Sequence, residues 1–398
     1  MVQDARISAM LPSRFLVAPP LLFLMATSCT RERGPGPGAE AKPSARTAPS
    51  TRPPPHVALA GERVEIPGGT FFAGSVPGEE GRLPRLEPRR RPVDLGPFRI
   101  DRLPYPNDPK QPPLVGVSRD EAQRKCAERG ARLCTELEWE RACKGPNSDV
   151  FATGSIWDPR CAREPLSCAS GFDVLAMGTH LREWTASTLR TRSKEPEAVV
   201  RGAFDTASPG HRCAARRGEN PEARAEDLGF RCCAGAPNAA VIEEPKLGVT
   251  FRKVRLTADR LEAILREHPN TSGLAKDIKY FKEPEAAETV VARGHGNRQG
   301  MSFTVHPLLW NPAPGVELLL VSARSGDALS FVVALSVLAE DEYRVAASFA
   351  MQNETGPVAL AYADDIRLRA YWSTCWGCPG ETGKILFREP EEVAIVQP

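Results

Sequence analysis

The chain lacks an excess of charge of either sign, a histidine pair at a metal-binding spacing, and an internal repeat. Its 52 basic and 50 acidic side chains nearly cancel, so the composition indicates no nucleic-acid partner. The six histidines include no His-x3-His pair. Proline is abundant, with 38 residues, many of them in the first 115 positions. The length of 398 residues suggests two to three domains.

The N-terminal segment predicts export and attachment to a membrane. Arg14 precedes an apolar stretch from Phe15 to Ala26, which has the length of a signal-peptide hydrophobic region and is too short to span a bilayer. The small residues before Cys29 resemble a bacterial lipobox, so we expect Cys29 to carry a lipid anchor. The alternative is an ordinary secretory peptide with an incidental cysteine. Thr30 after the cysteine favours the outer membrane of the cell envelope, facing the periplasm or the exterior.

Changes in composition divide the chain into segments. The segments are a signal peptide (1–29), a disordered Pro/Gly-rich tether (30–60), a first folded domain (61–236), a linker (237–247) and a second folded domain (248–398). The tether cannot build a core, because it is dominated by Pro, Gly and polar residues. A basic run at Arg85, Arg89, Arg90 and Arg91 lies in a Pro-rich stretch and is most simply a solvated loop.

Two helices are predicted within 61–236. Ser118 and Glu121 form a capping-box pattern before one of them, and Gly130 supplies a stop signal. Thr135 and Glu138 repeat the capping pattern before the other. The rest of this domain is interrupted by Gly and Pro and is weakly periodic, which is typical of a loop-rich fold that depends on covalent cross-links.

An ordered series of short segments runs through this domain. The segments are Val64-Glu-Ile-Pro-Gly-Gly-Thr-Phe-Phe-Ala-Gly-Ser75, Val115-Gly-Val-Ser-Arg-Asp-Glu-Ala122, Arg132-Leu-Cys-Thr-Glu-Leu-Glu-Trp-Glu-Arg141, Leu181-Arg-Glu-Trp-Thr185, Val200-Arg-Gly202, Arg212-Cys-Ala-Ala-Arg216 and Leu228-Gly-Phe-Arg-Cys232. Together they resemble the formylglycine-generating enzyme (sulfatase-modifying factor) family, which has a C-type-lectin-like fold. The resemblance covers residues 61–236.

The cysteines suggest a disulfide framework. Eleven cysteines minus Cys29 leave an even number for an oxidising compartment. The resemblance implies the pairs Cys126–Cys232 and Cys143–Cys213. The remaining cysteines then pair by proximity or parity, as Cys134–Cys233, Cys161–Cys168 and Cys375–Cys378. A reduced, metal-binding state of these cysteines is the alternative.

The resemblance implies a copper-dependent oxidation, but the residues that carry it in the family are missing from this sequence. Active members oxidise a substrate cysteine with O2 at a copper site made by two cysteines, located before the Arg212-Cys-Ala-Ala-Arg216 segment. The corresponding interval, Ala203 to Arg212, has no cysteine and is shorter than is usual in the family. Cu(I) selects soft thiolate ligands, and His211 alone cannot replace them. We therefore expect no copper, a structural half-cystine at Cys213, and a loop or capping role for His211. The missing His-x3-His pair also disfavours the iron site of related branches.

The calcium loop implied by the resemblance is altered as well. It reads Ala176-Met-Gly-Thr-His-Leu-Arg-Glu-Trp184, in which Glu183 matches a ligand position and Ala176 replaces an oxygen-bearing partner. A Ca2+ ion needs six to eight oxygen ligands. Glu183 is thus a weak calcium candidate, and the favoured role for it is a structural hydrogen bond.

Residues 248–398 predict a mainly β domain of no recognised family. Thr257 caps a helix with Leu261, Ile264 and Leu265 on one face. Alternating or β-branched runs predict strands at 315–321, 329–338, 343–351, 358–362, 366–372, 384–388 and 393–396, the last two forming a hairpin. Strands with short connections suggest a sandwich or a barrel.

Cys375-Trp-Gly-Cys378 is the one chemical motif of this second domain. A Cys-x-x-Cys pair can exchange disulfides when its thiol pKa is lowered at a helix N-terminus. Here it lies between predicted strands, so a static disulfide closing a turn is favoured. A zinc knuckle would need a second ligand pair.

The sequence thus predicts an α+β protein, with a loop-rich domain like the formylglycine-generating enzyme followed by a β sandwich or barrel. The favoured function is that of a cell-envelope lipoprotein whose degenerate, non-catalytic domain binds a protein or glycan ligand, with no catalytic residues and no cofactor. One alternative is an oxidoreductase of the same family acting on an envelope protein. Another is thiol–disulfide exchange by Cys375 and Cys378.

Overall fold

A computed structural model describes residues 57–189, 196–242, 250–291, 301–352, 356–363 and 369–397. The predicted lipid anchor at Cys29, the signal peptide and almost all of the tether lie outside these ranges. Within them, none of the helices combines the length and the apolar character that crossing a bilayer requires.

Residues 57–242 form short strands and two helices. The strands are β1 (Arg63–Ile66), β2 (Gly69–Ala73), β3 (Arg91–Leu95), β4 (Phe98–Asp101), β5 (Arg132–Leu133), β6 (Arg182–Leu189), β7 (Glu197–Gly202), β8 (Arg216–Glu219), β9 (Leu228–Phe230) and β10 (Cys232–Ala234), and the helices are α1 (Arg119–Ala127) and α2 (Glu136–Lys144). They assemble into the sheets β1-β4-β10-β5, β8-β7-β6-β9 and the ribbon β2-β3. All pairs are antiparallel except β6 with β9.

Both predicted helices carry the capping boxes that the sequence indicates. Ser118 accepts from the Glu121 backbone N–H before α1, and Thr135 accepts from that of Glu138 before α2. Helix α2 is buried along its whole length, although five of its nine residues are charged. Buried charges are tolerated only when they are paired and hydrogen-bonded. The centre of this domain is therefore an ion-pair network as well as an apolar core.

The folded domain extends beyond both of its predicted bounds. Ala58, assigned to the tether by composition, is buried against Leu103, Ala169 and Leu175. Ile242, assigned to the linker, joins the core around α2. Composition alone misplaced these ends, because a single apolar residue at a chain terminus gives no periodic signal.

Five disulfides join the ten described cysteines, with Cα–Cα distances between 4.9 and 5.6 Å. The pairs are Cys126–Cys232, Cys134–Cys233, Cys143–Cys213, Cys161–Cys168 and Cys375–Cys378, as expected from the sequence. Adjacent half-cystines at positions 232 and 233 reach opposite sides of β10, because successive side chains of a strand alternate in direction.

The second domain is built mainly from strands. In chain order these are β11 (Phe251–Lys253), β12 (Ile278–Lys279), β13 (Ser302–Thr304), β14 (Leu308–Trp310), β15 (Leu318–Ser325), β16 (Leu329–Ala339), β17 (Glu342–Gln352), β18 (Ala359–Tyr362), β19 (Arg369–Ser373), β20 (Thr382–Arg388) and β21 (Glu392–Val396). Helix α3 spans Ala258–Glu267, and a short α4 (Glu283–Ala286) continues into a π turn to Val291. All seven predicted strands are present; the short β11 to β14 were not predicted.

These strands form a sandwich covered by a helix. One sheet has the order β11-β14-β15-β16-β17, with β12 also on β15, and the other has the order β13-β18-β19-β20-β21. Leu320 and Val332 face the second sheet, where they pack with Trp372 and Ile385. Their neighbours along β15 and β16 point the other way, against Leu261 and the rest of the apolar face of α3. The predicted α+β class is confirmed, and the second domain is a sandwich rather than a closed barrel.

A segment between β2 and β3, residues 76–90, contacts the second domain; we call it the strap. Arg82 is paired with Glu391, and Arg85 with Glu389. Arg89 lies 2.8 Å from a carboxylate oxygen of Glu317. Two arginines of the basic run that the sequence assigned to a solvated loop, Arg85 and Arg89, therefore pair with acidic residues of the second domain, although the Arg85 pair is exposed to solvent. Nothing local in the sequence indicates such partners, which lie more than 200 positions away.

Candidate functional site

The interval that corresponds to the family's copper loop is short and ends beside a buried half-cystine. After β7, the chain forms one 3₁₀ turn, Ser208–His211, and then reaches Cys213. Cys213 is disulfide-bonded to Cys143 of α2 and is buried. Its sulfur is therefore part of a cross-link, not a thiolate ligand.

His211 lies at the end of this loop, as expected, and is a buried packing residue. Its ring stacks on Trp157 with centroids 3.8 Å apart and an interplanar angle of 4°. Its Nδ1 lies 2.8 Å from the carbonyl oxygen of Gly178. Its Nε2 is buried without a hydrogen-bond partner among the described groups. The stacking partner Trp157 gave no signal in the sequence, because it lies in an irregular segment.

The donor set around this interval does not fit Cu(I). A soft ion needs thiolate or thioether ligands, and the interval offers one imidazole nitrogen and a sulfur already consumed by a disulfide. Across the described ranges, no group of three or more His, Cys, Asp or Glu side chains is arranged to hold a metal ion. The residues of this interval therefore do not supply the thiolate ligands that Cu(I) requires.

The altered calcium loop is also unsuited to its family role. Both carboxylate oxygens of Glu183 accept from the guanidinium of Arg231, at 2.7 and 2.8 Å, and one of them also accepts from the Trp139 indole at 2.8 Å. The carbonyl oxygen of Ala176 accepts from Thr179. A guanidinium thus neutralises the carboxylate that would face a cation. The geometry places Glu183 in a buried structural ion pair.

His180 lies on the same loop and is partly buried. Its Nδ1 is 2.9 Å from the Thr179 hydroxyl. Burial lowers the pKa of His180, and the positive charge of Arg231 acts in the same direction, while Glu183 opposes both. The lowered pKa favours the neutral form of the imidazole, which can accept or donate a hydrogen bond without adding charge.

The strap closes over the shortened copper loop. Arg212 donates to both carboxylate oxygens of Glu87 in the strap and also to Glu79. Gly81 packs so closely on Pro209 that a Cβ at position 81 would lie 2.2 Å from the proline Cβ. These contacts hold the strap against the C-terminal part of that loop, whereas residues 205–207 are exposed. The sequence indicated the arginines through their family motif, but not their partners in the strap.

A second layer of ion pairs holds the strand that leads into this loop. Arg201, at the end of β7, lies 2.9 Å from Glu136 and 3.0 Å from Glu140, both on α2. Arg216 contacts both oxygens of Glu136: its Nε lies 2.8 Å from the Oε2 that Arg201 also contacts, and its Nη2 donates to Oε1 at 2.9 Å. Burial alone would lower the pKa of Arg201, yet the two glutamates outweigh it and the pKa is raised. The network stabilises the scaffold and leaves none of these carboxylates free as a base.

A cavity of about 330 Å3 lies beside the altered calcium loop. Its walls are largely proline and apolar residues, including Pro104, Pro112 and Leu166, and its polar lining includes Asp108 and His180. Leu166 is 49% exposed at this position. A mostly apolar pocket with a few polar groups is the usual form of a small-ligand or side-chain binding site.

Cys375 and Cys378 lie in the second domain, in the turn between β19 and β20. They differ from the other cystines in being partly exposed. The turn is fixed by Thr374, whose backbone N–H donates to the Glu381 carbonyl oxygen at 3.0 Å. It is not followed by a helix, so the usual source of thiol pKa lowering in a Cys-x-x-Cys motif is missing from this described turn.

Comparisons with known proteins support the family resemblance that the motifs indicate. The family described as sulfatase-modifying factor enzyme 1-like domain matches residues 102–236. The chain is 31% identical over 153 residues to a protein named inactive C-alpha-formylglycine-generating enzyme 2 from Bos taurus, covering 31% of this chain and 50% of that protein. The Mus musculus protein of the same name is also 31% identical over 153 residues, with 49% of its length covered. The chain therefore spans about half the length of these curated relatives.

Solved structures with similarity include PvdO from Pseudomonas aeruginosa, at 18% identity and a TM-score of 0.36, covering 46% of this chain and 98% of that one. CarF is similar at 16% identity and a TM-score of 0.33, covering 43% of this chain and 97% of that one. The assignment rests on the family match and on the motifs, with the disulfides and helix caps found where those motifs place them. Residues 102–236 form a sulfatase-modifying factor enzyme 1-like domain.

Proposed function

We propose that this protein is a non-catalytic binding module of the bacterial cell envelope, in which the sulfatase-modifying-factor-like domain presents a surface to a protein or glycan ligand. The observation that carries the proposal is the state of Cys213. It is bridged to Cys143, and the preceding interval has no other cysteine to complete a thiolate pair. Without two thiolates, the copper chemistry of active family members has no ligands.

Two further features support a binding role. The strap packs on Pro209 and Arg212, next to Cys213, whose side chain is fully buried and therefore not accessible to a substrate peptide. The curated relatives in cattle and mouse are named inactive enzymes, which is consistent with a domain that persists after losing its activity. A scaffold that no longer needs catalytic residues can still be retained for its surface.

The cavity beside His180 is the surface that we assign to the ligand. It combines apolar walls with the neutral imidazole of His180 and the carboxylate of Asp108. Leu166, half exposed at its lining, is the kind of apolar contact that a side chain or a sugar face can cover. Calcium is not part of the proposal, since Arg231 already neutralises Glu183.

We further propose that Cys29 is lipid-modified and holds the domains at the outer membrane through the tether. The Cys29→Ser variant should move the protein from the membrane fraction to the soluble fraction of the envelope. Unchanged membrane retention of that variant would disprove the anchor without affecting the binding proposal.

The competing function is oxidation of a cysteine in an envelope protein by a rebuilt site. Purified protein supplied with Cu(I), O2 and a cysteine-containing sulfatase-type peptide should give no aldehyde above the metal-only control. Turnover that disappears in the His211→Ala or Cys213→Ser variant would establish an enzyme and refute the non-catalytic assignment.

The binding role itself is tested with an array of glycans and an array of purified envelope proteins. We expect at least one ligand class whose binding falls at least tenfold in the Leu166→Glu variant. Ile156→Glu is the matched control, because Ile156 is also an exposed apolar residue but does not line the cavity. Equal loss in both variants would mean that the cavity is not the binding surface.

A further inference from the structure

The cavity beside the altered calcium loop, which we call the His180 cavity, is enclosed by three separate parts of the first domain. One wall is the proline-rich segment 103–113. The second is the loop that the Cys161–Cys168 disulfide closes, which carries Leu166. The third contains Ala176 and His180. Proline rings and a covalently closed loop have little conformational freedom, so the cavity is largely formed before a ligand binds.

The hydrogen bonds of Thr179 determine which ring nitrogen of His180 carries the proton. Ala176 is buried, and its carbonyl oxygen has no donor within the described residues other than the Thr179 hydroxyl, at 3.0 Å. A hydroxyl group has one proton to donate. Thr179 therefore accepts from the Nδ1–H of His180, at 2.9 Å. In the neutral imidazole, which the burial-lowered pKa of His180 favours, Nε2 is then a hydrogen-bond acceptor.

The polar side chains of the His180 cavity chiefly offer acceptors. Nε2 of His180 has no hydrogen-bond partner among the described groups, and the residue is only partly buried. The Asp108 carboxylate accepts from the Lys110 backbone N–H at 2.9 Å and from the Gln111 amide at 2.6 Å, one on each oxygen. These two hydrogen bonds lower the pKa of Asp108, so it is ionised at neutral pH. Each carboxylate oxygen can accept a further hydrogen bond, so a ligand must supply donors.

The described lining of the His180 cavity carries no net charge. Asp108 is its one carboxylate and Lys110 its one cationic side chain. Lys110 is exposed, and its positive charge acts on Asp108. The neutral imidazole of His180 adds no charge to this balance. A lining of this kind favours a neutral ligand over an anion or a cation, because neither sign of charge is left uncompensated.

We propose that the His180 cavity binds one neutral sugar ring of an envelope glycan; this inference rests on the binding role proposed above and names its ligand class. One hydroxyl group of the sugar donates to Nε2 of His180, and another donates to the Asp108 carboxylate. The C–H face of the ring covers Leu166 and the proline rings. The volume of about 330 Å3 is at the lower end of the range for ligand cavities, so it suits a single ring rather than a long oligosaccharide.

The balance of donors and acceptors favours a sugar over a peptide in this cavity. A hydroxyl group can turn its proton towards whichever acceptor is near it. A peptide instead brings a carbonyl acceptor with almost every N–H donor. In the described lining, the donor side chains that could satisfy such carbonyl groups are Lys110 and Gln111, both exposed, and Gln111 already donates to Asp108. Peptide carbonyl groups would therefore remain largely unpaired on binding.

The proposal is tested with methyl glycosides of glucose, galactose, mannose and N-acetylglucosamine as neutral probes, and with those of glucuronic acid and glucosamine as charged probes. Isothermal titration calorimetry measures their binding to the full chain. His180→Leu removes the acceptor, whereas His180→Gln retains one on a side chain of similar reach. Lys110→Met is the matched control, because it removes a charge of the lining and leaves both acceptors in place. Thermal unfolding verifies that each variant is folded.

We expect at least one neutral glycoside to bind, and to bind more tightly than either charged one. Its affinity should fall about tenfold in His180→Leu, which is the loss of one hydrogen bond, and should stay within about threefold of wild type in His180→Gln and within about twofold in Lys110→Met. The proposal is overturned if no neutral glycoside binds, if His180→Leu binds as well as wild type, or if Lys110→Met weakens binding as much as His180→Leu does.

Failure of the sugar assignment is distinguishable from failure of the binding role itself. If no glycoside binds, but an envelope protein binds and is weakened by Leu166→Glu, the cavity is a protein-binding site and the sugar assignment is wrong. If neither glycosides nor envelope proteins bind in a way that depends on Leu166, the binding role of the cavity is wrong as well.

Discussion

Arg212 and Glu87 form a doubly hydrogen-bonded ion pair that is almost completely shielded from solvent. The two N–O distances are 2.7 and 2.8 Å, and the side chains are 2% and 0% exposed. Burial by itself lowers the pKa of Arg212, but Glu87 and Glu79 outweigh it, and the pKa is raised. The pair joins the residue before Cys213 to the strap, which in turn contacts the second domain.

Glu87→Ala should destabilise the protein strongly, because it leaves the Arg212 guanidinium buried without its main partner. Removing one member of a buried pair costs about 3–5 kcal/mol. The double variant Glu87→Ala/Arg212→Met should recover most of that loss, since no charge remains buried. Free energies of unfolding from urea titrations measure both effects. Arg160→Ala, which breaks the exposed Asp158–Arg160 pair and keeps the Asp158 side-chain cap, is the control and should leave stability almost unchanged. A small effect of Glu87→Ala would show that the strap moves away easily.

The disulfides should differ in their contribution according to the loop that each closes. Cys126–Cys232 spans 106 positions and Cys161–Cys168 spans 7. In the chain-entropy account, replacing the former pair by serine costs about 4–5 kcal/mol and the latter about 2–3 kcal/mol. Thermal unfolding of the two double-serine variants tests the order. An equal loss would mean that native packing, rather than restriction of the unfolded chain, dominates.

Local sequence signals were sufficient to predict the helices and strands that are determined by residues close in sequence. The capping boxes at Ser118 and Thr135 gave the two helices, and alternation gave the seven long strands of the sandwich. The disulfides followed from family resemblance and parity. Short strands such as β11 and β12 were missed because two or three residues cannot show a period.

Long-range pairings could not be predicted from this sequence alone. Arg82 meets Glu391 across 309 positions, and the stack of His211 on Trp157 depends on how two irregular segments pack. The bulge that leaves Ala346 of β17 without a partner on β16 is likewise set by pairing between strands rather than by a residue that marks it. The sequence thus located the candidate site through the absence of the two copper-binding cysteines. The strap residues that pack against this site could be identified only from the fold.

Glu121 should titrate far below an ordinary glutamate. A hydrogen bond from Arg224 and one from the Ser118 backbone lower its pKa to about 2, from 4.5. Since the folded-state pKa is depressed, the stability that this carboxylate contributes is complete above the unfolded pKa of 4.5 and is lost as the pH falls towards 2. NMR titration of labelled glutamate in wild type and in Arg224→Ala measures the shift. We expect the Arg224→Ala protein to bring the pKa of Glu121 closer to 4.5; no movement would contradict the assigned cause.

Gly315 should tolerate alanine much less well than Gly326, although both have positive φ angles, of 73° and 57°. A Cβ at position 315 would lie 2.0 Å from the Pro84 carbonyl oxygen of the strap, whereas at position 326 it would meet nothing within 4 Å. Left-handed backbone strain, about 1–2 kcal/mol, is common to both substitutions. The steric conflict at position 315 adds about 1–3 kcal/mol, and it disrupts the contact between the strap and the second domain.

Unfolding free energies of Gly315→Ala and Gly326→Ala, together with limited proteolysis of the strap, separate the two contributions. We expect faster cleavage of the strap only in Gly315→Ala, because only there does relief of the clash require the domains to move apart. Equal losses of unfolding free energy and equal cleavage rates in the two variants would mean that the close approach of Gly315 to Pro84 does not hold the domains together.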